Sequence, residues 1–413
     1  FRSFTEVDRE EIFNLITDSS YKAEFLTELD RAILIELLEN MPPKSIIALL
    51  KEMAPDDQAD VLAQLPEDVG KKVLELMSTS DSEDLEELMM YPPDTAGGIM
   101  VPLPLKMKEE DTVQDAINSI HEQKDLEMVF YIYIEDENEK LTGVLSLRQL
   151  IMVEPQTKLK DVMITRVVSV QPETDQEEVA RITSRYNFLA LPVVDRDDKL
   201  LGIVTVDDII DVIREEATED FLQMAGVGKD REILLKPTLE ATKIRFPWLF
   251  ATFVGGFIVS MIVMGFDTLI NKFVMLAAFM PIVAGMGGNV GTQSSTIIVR
   301  GLATGRINVK QVMKVLFGQM RIGIILGFAY GILLGVFAVV FHLHQVNILN
   351  MGITISISLM LAMLLAATMG TLTPIILYRL NIDPAIATGP IVTTISDIFG
   401  ISIYLIIASL LLV

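Results

Sequence analysis

An aspartate, Asp397, lies inside the last long apolar stretch of the chain, in the run Gly389-Pro390-Ile391-Val392-Thr393-Thr394-Ile395-Ser396-Asp397-Ile398. From Pro247 onward the only other acidic residues are Asp267 and Asp383, and both fall where loops are expected. A carboxylate at membrane depth is costly, so it faces a polar cavity, a partner or an ion. Thr393 precedes Asp397 by one helical turn and Thr394 by three residues, which predicts one polar strip. Pro390 is expected to deny its helix one ladder bond and so to leave a carbonyl free near that strip. Carboxylate, hydroxyl and carbonyl oxygens are hard ligands, suited to Mg²⁺ or Ca²⁺ rather than to soft metals. One carboxylate is little for a dication; a homodimer with Asp397 of both chains at its axis would bring two. Because Mg²⁺ loses water reluctantly, such a site would hold a largely hydrated ion. The competing expectation is a packing carboxylate hydrogen-bonded to Thr or Asn of a neighbouring helix.

A second polar run, Pro281 to Thr296, contains Gly287, Gly288, Asn289, Gln293 and Ser294. Its glycines permit either close helix approach or unwound backbone, and its amides and hydroxyls should face protein or water rather than lipid. Both runs must be positioned by membrane-spanning helices. Hydropathy predicts five, over about 247–269, 273–300, 313–341, 355–379 and 385–412, each longer than the roughly 20 residues needed to cross hydrocarbon. Span four also carries Thr371, Thr373 and Pro374. Lys243 and Arg245 precede span one, Arg300, Arg306, Lys310 and Lys314 separate spans two and three, and Arg379 ends span four. The 342–354 loop has His342 and His344 but no Lys or Arg. The positive-inside bias then puts the N-terminal part in the cytoplasm and the C-terminus outside a cell inner (plasma) membrane crossed several times.

The remaining acids crowd the first part of the chain. Residues 1–240 carry 53 acids and 24 bases, against 3 and 9 in residues 241–413. So acidic a body repels nucleic acid and anionic lipid and suits cations or plain solubility. The absence of cysteine excludes disulfides and thiolate metal sites and fits a reducing compartment. The given sequence opens without an apolar leader, in keeping with a cytoplasmic soluble part. No Gly-rich Lys-Ser/Thr phosphate loop is present, so neither a nucleotide-driven motor nor an enzyme is expected. Asp207, Asp208, Asp211, Glu215, Glu216, Glu219 and Asp220 form a charged connector with Arg214 as the only base among them. Asp208, Asp211, Glu215 and Glu219 are three or four apart and share a helix face, where like charges repel and a divalent cation would relieve them. A solvated linker helix is the plainer alternative.

Two repeats precede the connector. Met41, Met53, Leu65, Met77 and Met89 recur every twelve residues, each of the first four followed by Pro, Asp or Ser start signals for a helix. A unit of one short helix and a turn buries little alone and must stack on neighbours. Asp56, Asp57, Asp60 and Asp94 lie in or just after this array and are ordinary solvated acids unless another domain packs on them. Further on, Lys140–Ile151 matches Lys199–Ile210. Val129–Ile134 is expected to pair with Gly143–Leu145 and Ala190–Val194 with Gly202–Val204, with helices over Val113–His121 and Gln176–Tyr186. The duplication resembles a tandem pair of CBS modules, which implies a pseudo-twofold pair sensing adenosine nucleotides or ions, or a rigid dimerisation scaffold. Thr205, Asp207 and Asp208 are then the nucleotide candidates of the second copy; Ser146, Arg148 and Gln149 stand in their places in the first.

Taken together, the helical repeat, the CBS pair, the acidic Ala217-Thr218-Glu219-Asp220 connector and five spans resemble the MgtE family of magnesium channels. The likeness is strongest over Pro281 to Ser294 and over Gly389-Pro390 to Asp397-Ile398-Phe399-Gly400. It implies a homodimeric Mg²⁺-selective channel in the lipid bilayer, with no nucleic acid and no obligatory protein partner. Asp397 matches the pore aspartate, with Asn289, Thr393 and Thr394 around it. It also implies that cytosolic Mg²⁺ binds between the helical domain, the CBS pair and the connector and holds the pore closed, with ATP as an optional regulatory ligand. The expected fold is multidomain: an all-alpha helical repeat domain (1–97), two alpha/beta CBS modules (98–160 and 161–216), an acidic connector or plug helix (217–246) and a five-helix transmembrane domain (247–413). Gln319 and Arg321 stand where many relatives have a Glu-X-Arg pair, so the Glu is replaced by Gln319. A cation-coupled divalent-metal transporter and a membrane-anchored receptor are the rival functions.

Overall fold

A computed structural model of the chain describes all residues except 1–3, 28, 30, 40, 103–104, 123–129, 231–232, 235, 308–311 and 342–347. Val129, Lys310, His342 and His344 therefore lie outside the described residues. The chain divides into two compact units, Phe1–Arg214 and Glu215–Val413.

The first unit opens with seven short helices: α1 (Glu6–Leu15), α2 (Ser19–Thr27), α3 (Arg31–Leu38), α4 (Pro43–Leu50), α5 (Pro55–Gln64), α6 (Glu67–Leu76) and α7 (Thr79–Leu88). The last four start twelve residues apart, as the methionine period requires. Pro43 and Pro55 occupy first-turn positions that need no N–H, and Ser78 caps α7 by accepting from the Asp81 amide. Each helix packs on the next but one, α2 on α4, α4 on α6, α3 on α5 and α5 on α7. Met53 and Leu65, just past the ends of α4 and α5, are buried in the shared core, whereas Met89 is exposed at the end of the array.

Six strands and four helices follow: β1 (Val101–Pro102), β2 (Lys106–Lys108), α8 (Val113–Glu122), β3 (Tyr131–Glu135), β4 (Leu141–Ser146), α9 (Leu147–Met152), α10 (Gln176–Tyr186), β5 (Ala190–Val194), β6 (Leu200–Thr205) and α11 (Val206–Met224). They make two three-stranded sheets, ordered β2-β3-β4 and β1-β6-β5. The expected hairpins form antiparallel, with Ile132 opposite Leu145 and Leu191 opposite Val204. Outside those expectations, β1 crosses to pair with β6 of the second copy. This exchange ties the copies together and lets the second sheet share the core of the helical array.

α11 is one unbroken helix across the point where the two units divide. The second unit continues with α12 (Thr238–Gly265), α13 (Asp267–Lys272), α14 (Met275–Ala303), α15 (Val312–Phe341), α16 (Ile348–Arg379) and α17 (Gly389–Leu412). Five of its helices are long and apolar enough to cross a membrane. Span one begins nine residues earlier than hydropathy suggested, because the segment after Pro237 runs into the span without a break. α16 is central and packs on α14, α15 and α17. Between α15 and α16 the backbones nearly touch: a methyl at Gly327 would stand 2.9 Å from Met360 and one at Gly331 2.6 Å from the Ser356 carbonyl. The hydroxyls of Thr368, Thr371 and Thr373 bond carbonyls one turn back in α16, so this polar set of span four is satisfied within its own helix.

Candidate functional site

In the membrane half the polar runs meet across α14 and α17. α14 stays helical through Pro281, so close approach, not unwinding, is the use of its glycines. A methyl at Gly288 would stand 3.2 Å from the Thr393 methyl and 3.8 Å from Asp397 Oδ1, and one at Gly291 would stand 2.6 Å from Ser396 Oγ. Gly287 faces the carbonyl of Ser396 at a distance of 4.0 Å from such a methyl. Glycine at these positions is what lets α17 bring its carboxylate against α14. Thr393 donates to the Gly389 carbonyl at 3.0 Å and lies 3.4 Å from the Thr292 hydroxyl. Thr394 turns the other way: its methyl packs on Gly255 of α12, and its hydroxyl is buried with no hydrogen-bond partner among the described residues. The predicted polar strip therefore divides, with Thr393 and Asp397 toward α14 and Thr394 toward α12.

Pro390 requires a correction. It sits in the first turn of α17, where the N–H it lacks would have no intrahelical partner, so it starts the helix and frees no ladder carbonyl. Asp397 is half-buried, and among the described residues none donates a hydrogen bond to its carboxylate. Asn289, one residue beyond Gly288, is exposed, as is Gln293 one turn later, while Ser294 is buried and reaches Gln319 Oε1 at 3.3 Å. The packing-carboxylate alternative needed a Thr or Asn donor to Asp397, and among the described residues there is none.

The first unit holds a different acidic grouping. Asp56, in the first turn of α5, is only 7% exposed, and among the described residues one of its carboxylate oxygens has no hydrogen-bond partner. Burial first, then the charges of Asp208 and Asp57, push its carboxyl up to about 8. Burial likewise pushes Asp208 up to about 6; hydrogen bonding from Thr205 opposes this, and Asp207 and Asp57 add to it. The Thr205 hydroxyl is held by both Asp207 and Asp208. Asp60, Asp94 and Asp211 are exposed, and Asp211 pairs with Arg214 at 3.2 Å. Among the described residues no three His or acidic side chains converge into a ready metal cage. The acids of α5 and α11 could instead hold a cation through its water shell.

A stability prediction follows from Asp56. Its raised pKa favours the neutral acid in the fold, so its contribution is fully present below about pH 4 and lost as pH rises through about 8. In EDTA, raising the pH from 6 to 9 should cost on the order of 2 kcal/mol, or about 5 °C in the unfolding temperature. Asp56→Asn should remove most of that dependence, which calorimetry of the full chain would check.

Two cavities of about 500 Å³ occur in the first unit. One lies among α1 to α4. The other lies between the two copies and is lined by Tyr131, Ser146, Arg148, Gln149, Arg166 and Phe188 among others. The nucleotide candidates Thr205, Asp207 and Asp208 do not line it.

At the end of α11 a third grouping appears that the sequence did not indicate. Gln223, 1% exposed, donates to Asp383 Oδ2 at 2.6 Å and to Glu219 Oε1 at 3.1 Å, and Lys229 pairs with the same two carboxylates. Asp220 beside them is pushed up to about 6, chiefly by burial, then by Asp383 and Glu216, with Arg300 opposing. Glu215 and Glu216 are half-buried on the same helix. The available signal was that Asp383 is one of only three acids in the membrane half.

Comparison with known proteins adds the following. A family profile described as a divalent cation transporter, MgtE, matches residues 280–407, that of the MgtE intracellular N domain residues 1–94, and that of the CBS domain residues 96–155 and 159–215. The Magnesium transporter MgtE of Bacillus subtilis is 36% identical over 99% of this chain and 90% of its own length. The Magnesium transporter MgtE of Thermus thermophilus is 37% identical over 86% of this chain and 79% of its own length. A crystal structure of the cytosolic domain of the Mg²⁺ channel MgtE in complex with ATP is 37% identical, with a TM-score of 0.49 over 51% of this chain and 86% of that one.

Proposed function

The chain belongs to the MgtE family of divalent cation transporters, and from that premise we propose that it is a Mg²⁺-selective channel for magnesium uptake, closed by cytosolic Mg²⁺. The observation that carries this is the Asp397 carboxylate, half-buried at membrane depth with no donor among the described residues of its own chain. A carboxylate so placed needs an ion, water or a second chain. A homodimer in the plasma membrane, its cytosolic units inside and its C-termini outside, would bring two such carboxylates together beside the exposed amides of Asn289 and Gln293. A hydrated Mg²⁺ would bind there through its waters, with the Thr393 hydroxyl nearby. The membrane potential suffices as the drive, since a dication gains about 4.6 kcal/mol across 100 mV.

Closure would rest on the acids of residues 54–98 and of α11. At low cytosolic Mg²⁺ the crowded charges of Asp208, Asp57 and Asp207 would resist compaction. Bound Mg²⁺ would offset that repulsion and draw α11, with Asp211, Glu215, Glu216, Glu219 and Asp220, into its closed position. An adenosine nucleotide would fit the cavity between the copies, with its phosphates toward Arg148 and Arg166 and its base toward Tyr131 or Phe188. The proposed division is the helical domain to residue 97, CBS modules to 160 and 216, the connector to 246 and the pore domain beyond.

Patch recording of the purified protein over a series of cytosolic Mg²⁺ concentrations tests the whole proposal. Mg²⁺ currents that follow the voltage and fall as cytosolic Mg²⁺ rises are expected. A strict requirement for Na⁺ or H⁺ would indicate a coupled transporter, and no flux at all a receptor.

A further inference from the structure

The connector carries its own cation. Lys229, five residues past the end of α11, places its ammonium between Glu219 of α11 and Asp383 of the loop that leads into α17, in contact with the first and 3.4 Å from the second. The buried amide of Gln223 bonds both carboxylates from beneath. Two acids from segments 164 residues apart are thereby brought together, a juxtaposition that would repel without the ammonium. The backbone beside them leaves no slack. A methyl at Gly389 would stand 2.5 Å from the Met224 carbonyl, and one at Gly226, whose φ is +72°, would stand 2.6 Å from Pro390. Gly389 and Pro390 are the first residues of α17, two turns before Asp397.

From this we propose that Lys229 is a metal-independent fastener that seats the end of the connector on the start of the helix bearing Asp397. It deepens the gating function proposed above and rests on it. A divalent ion at the cytosolic acids can move the pore helix only while the connector end stays attached to it. Lys229 supplies that attachment at any Mg²⁺ concentration. The ammonium is 58% exposed on its side chain, so the pair is too weak to hold the channel shut unaided and instead biases the seated position.

Two measurements on the full-length protein test this. In the first, Lys229→Gln should raise the Mg²⁺ concentration giving half closure about threefold to tenfold, since Glu219 and Asp383 then repel, and Lys229→Arg should restore wild-type closure. The second needs no transport. Trp248 is the only tryptophan, and a methyl at Gly228 would stand 3.8 Å from its indole Nε1, so it reports on the turn that carries Lys229. In EDTA, acrylamide should quench Trp248 more strongly in Lys229→Gln than in the wild type or Lys229→Arg. A half-closing concentration within twofold of wild type in Lys229→Gln, or quenching in EDTA equal to wild type, would overturn the fastener. So would a Lys229→Arg protein that behaves like Lys229→Gln. A wild type that conducts no Mg²⁺, or ignores cytosolic Mg²⁺, would instead remove the proposed function, and the quenching comparison would still decide whether the attachment exists.

Discussion

Replacing Asp397 with alanine should reduce Mg²⁺ conductance by at least about 100-fold while the protein still folds and assembles. The estimate rests on charge. A dication and a carboxylate about 5 Å apart, with water between them, attract by about 1.7 kcal/mol even at the dielectric constant of bulk water. Two chains would double that, and about 3 kcal/mol corresponds to roughly a hundredfold loss in occupancy of the site. A less polar surrounding would enlarge the effect. The cost to folding should be small, because no described residue hydrogen-bonds this carboxylate and no buried donor is left unpaired by its removal. Asp397→Asn separates charge from shape: it keeps the volume against Gly288 and should lose conductance to nearly the same extent. Isotopic Mg²⁺ uptake into proteoliposomes, with size-exclusion chromatography to check assembly, gives the result directly. Wild-type uptake by either variant would reject Asp397 as the ion site.

Much of the architecture could be read from residue types because the signals were periodic. The twelve-residue methionine period predicted helices whose starts at Pro43, Pro55, Glu67 and Thr79 keep that spacing. The duplicated Gly143 and Gly202 strands predicted which segments pair in both hairpins. What escaped was set by contacts between distant segments. Nothing in Val101-Pro102 announces that it will pair with Ile203 and Gly202 of the other copy. Thr393 and Thr394 are both hydroxyl residues near one carboxylate, yet only packing against Gly255 and Gly288 decides which helix each faces. Pro390 was misjudged because a proline in an apolar run looks the same whether it interrupts a helix or begins one; the short 3-10 turn Pro384–Ala387 before it settles the matter. Asp383 was correctly assigned to a loop, but its pairing with Lys229 depends on a fold that joins residues far apart in sequence.

A chain that begins at Val206, keeping α11 whole but lacking everything before it, should conduct Mg²⁺ with no decline as cytosolic Mg²⁺ is raised, whereas the complete chain should show that decline. α17, its Gly288 and Gly291 contacts and the Lys229 ion pairs all lie within the second unit, so conduction should survive the removal. The acids proposed to sense Mg²⁺ do not. Asp208 would lose the neighbouring Asp57 charge and the buried Asp56 carboxyl beside it. With the body gone, raising Mg²⁺ has no repulsion left to relieve there, and the Lys229 pair alone is too exposed to close the channel. Replacing Asp56 and Asp57 with asparagine in the complete chain provides the milder counterpart. Mg²⁺ would then lose two ligands but the scaffold would remain, so closure should need about tenfold more cytosolic Mg²⁺, in line with about 1.4 kcal/mol of lost binding. Shut-off that persists unchanged in the shortened chain would mean that the sensor lies within the membrane half. The crowded acids of residues 1–214 would then serve solubility rather than gating.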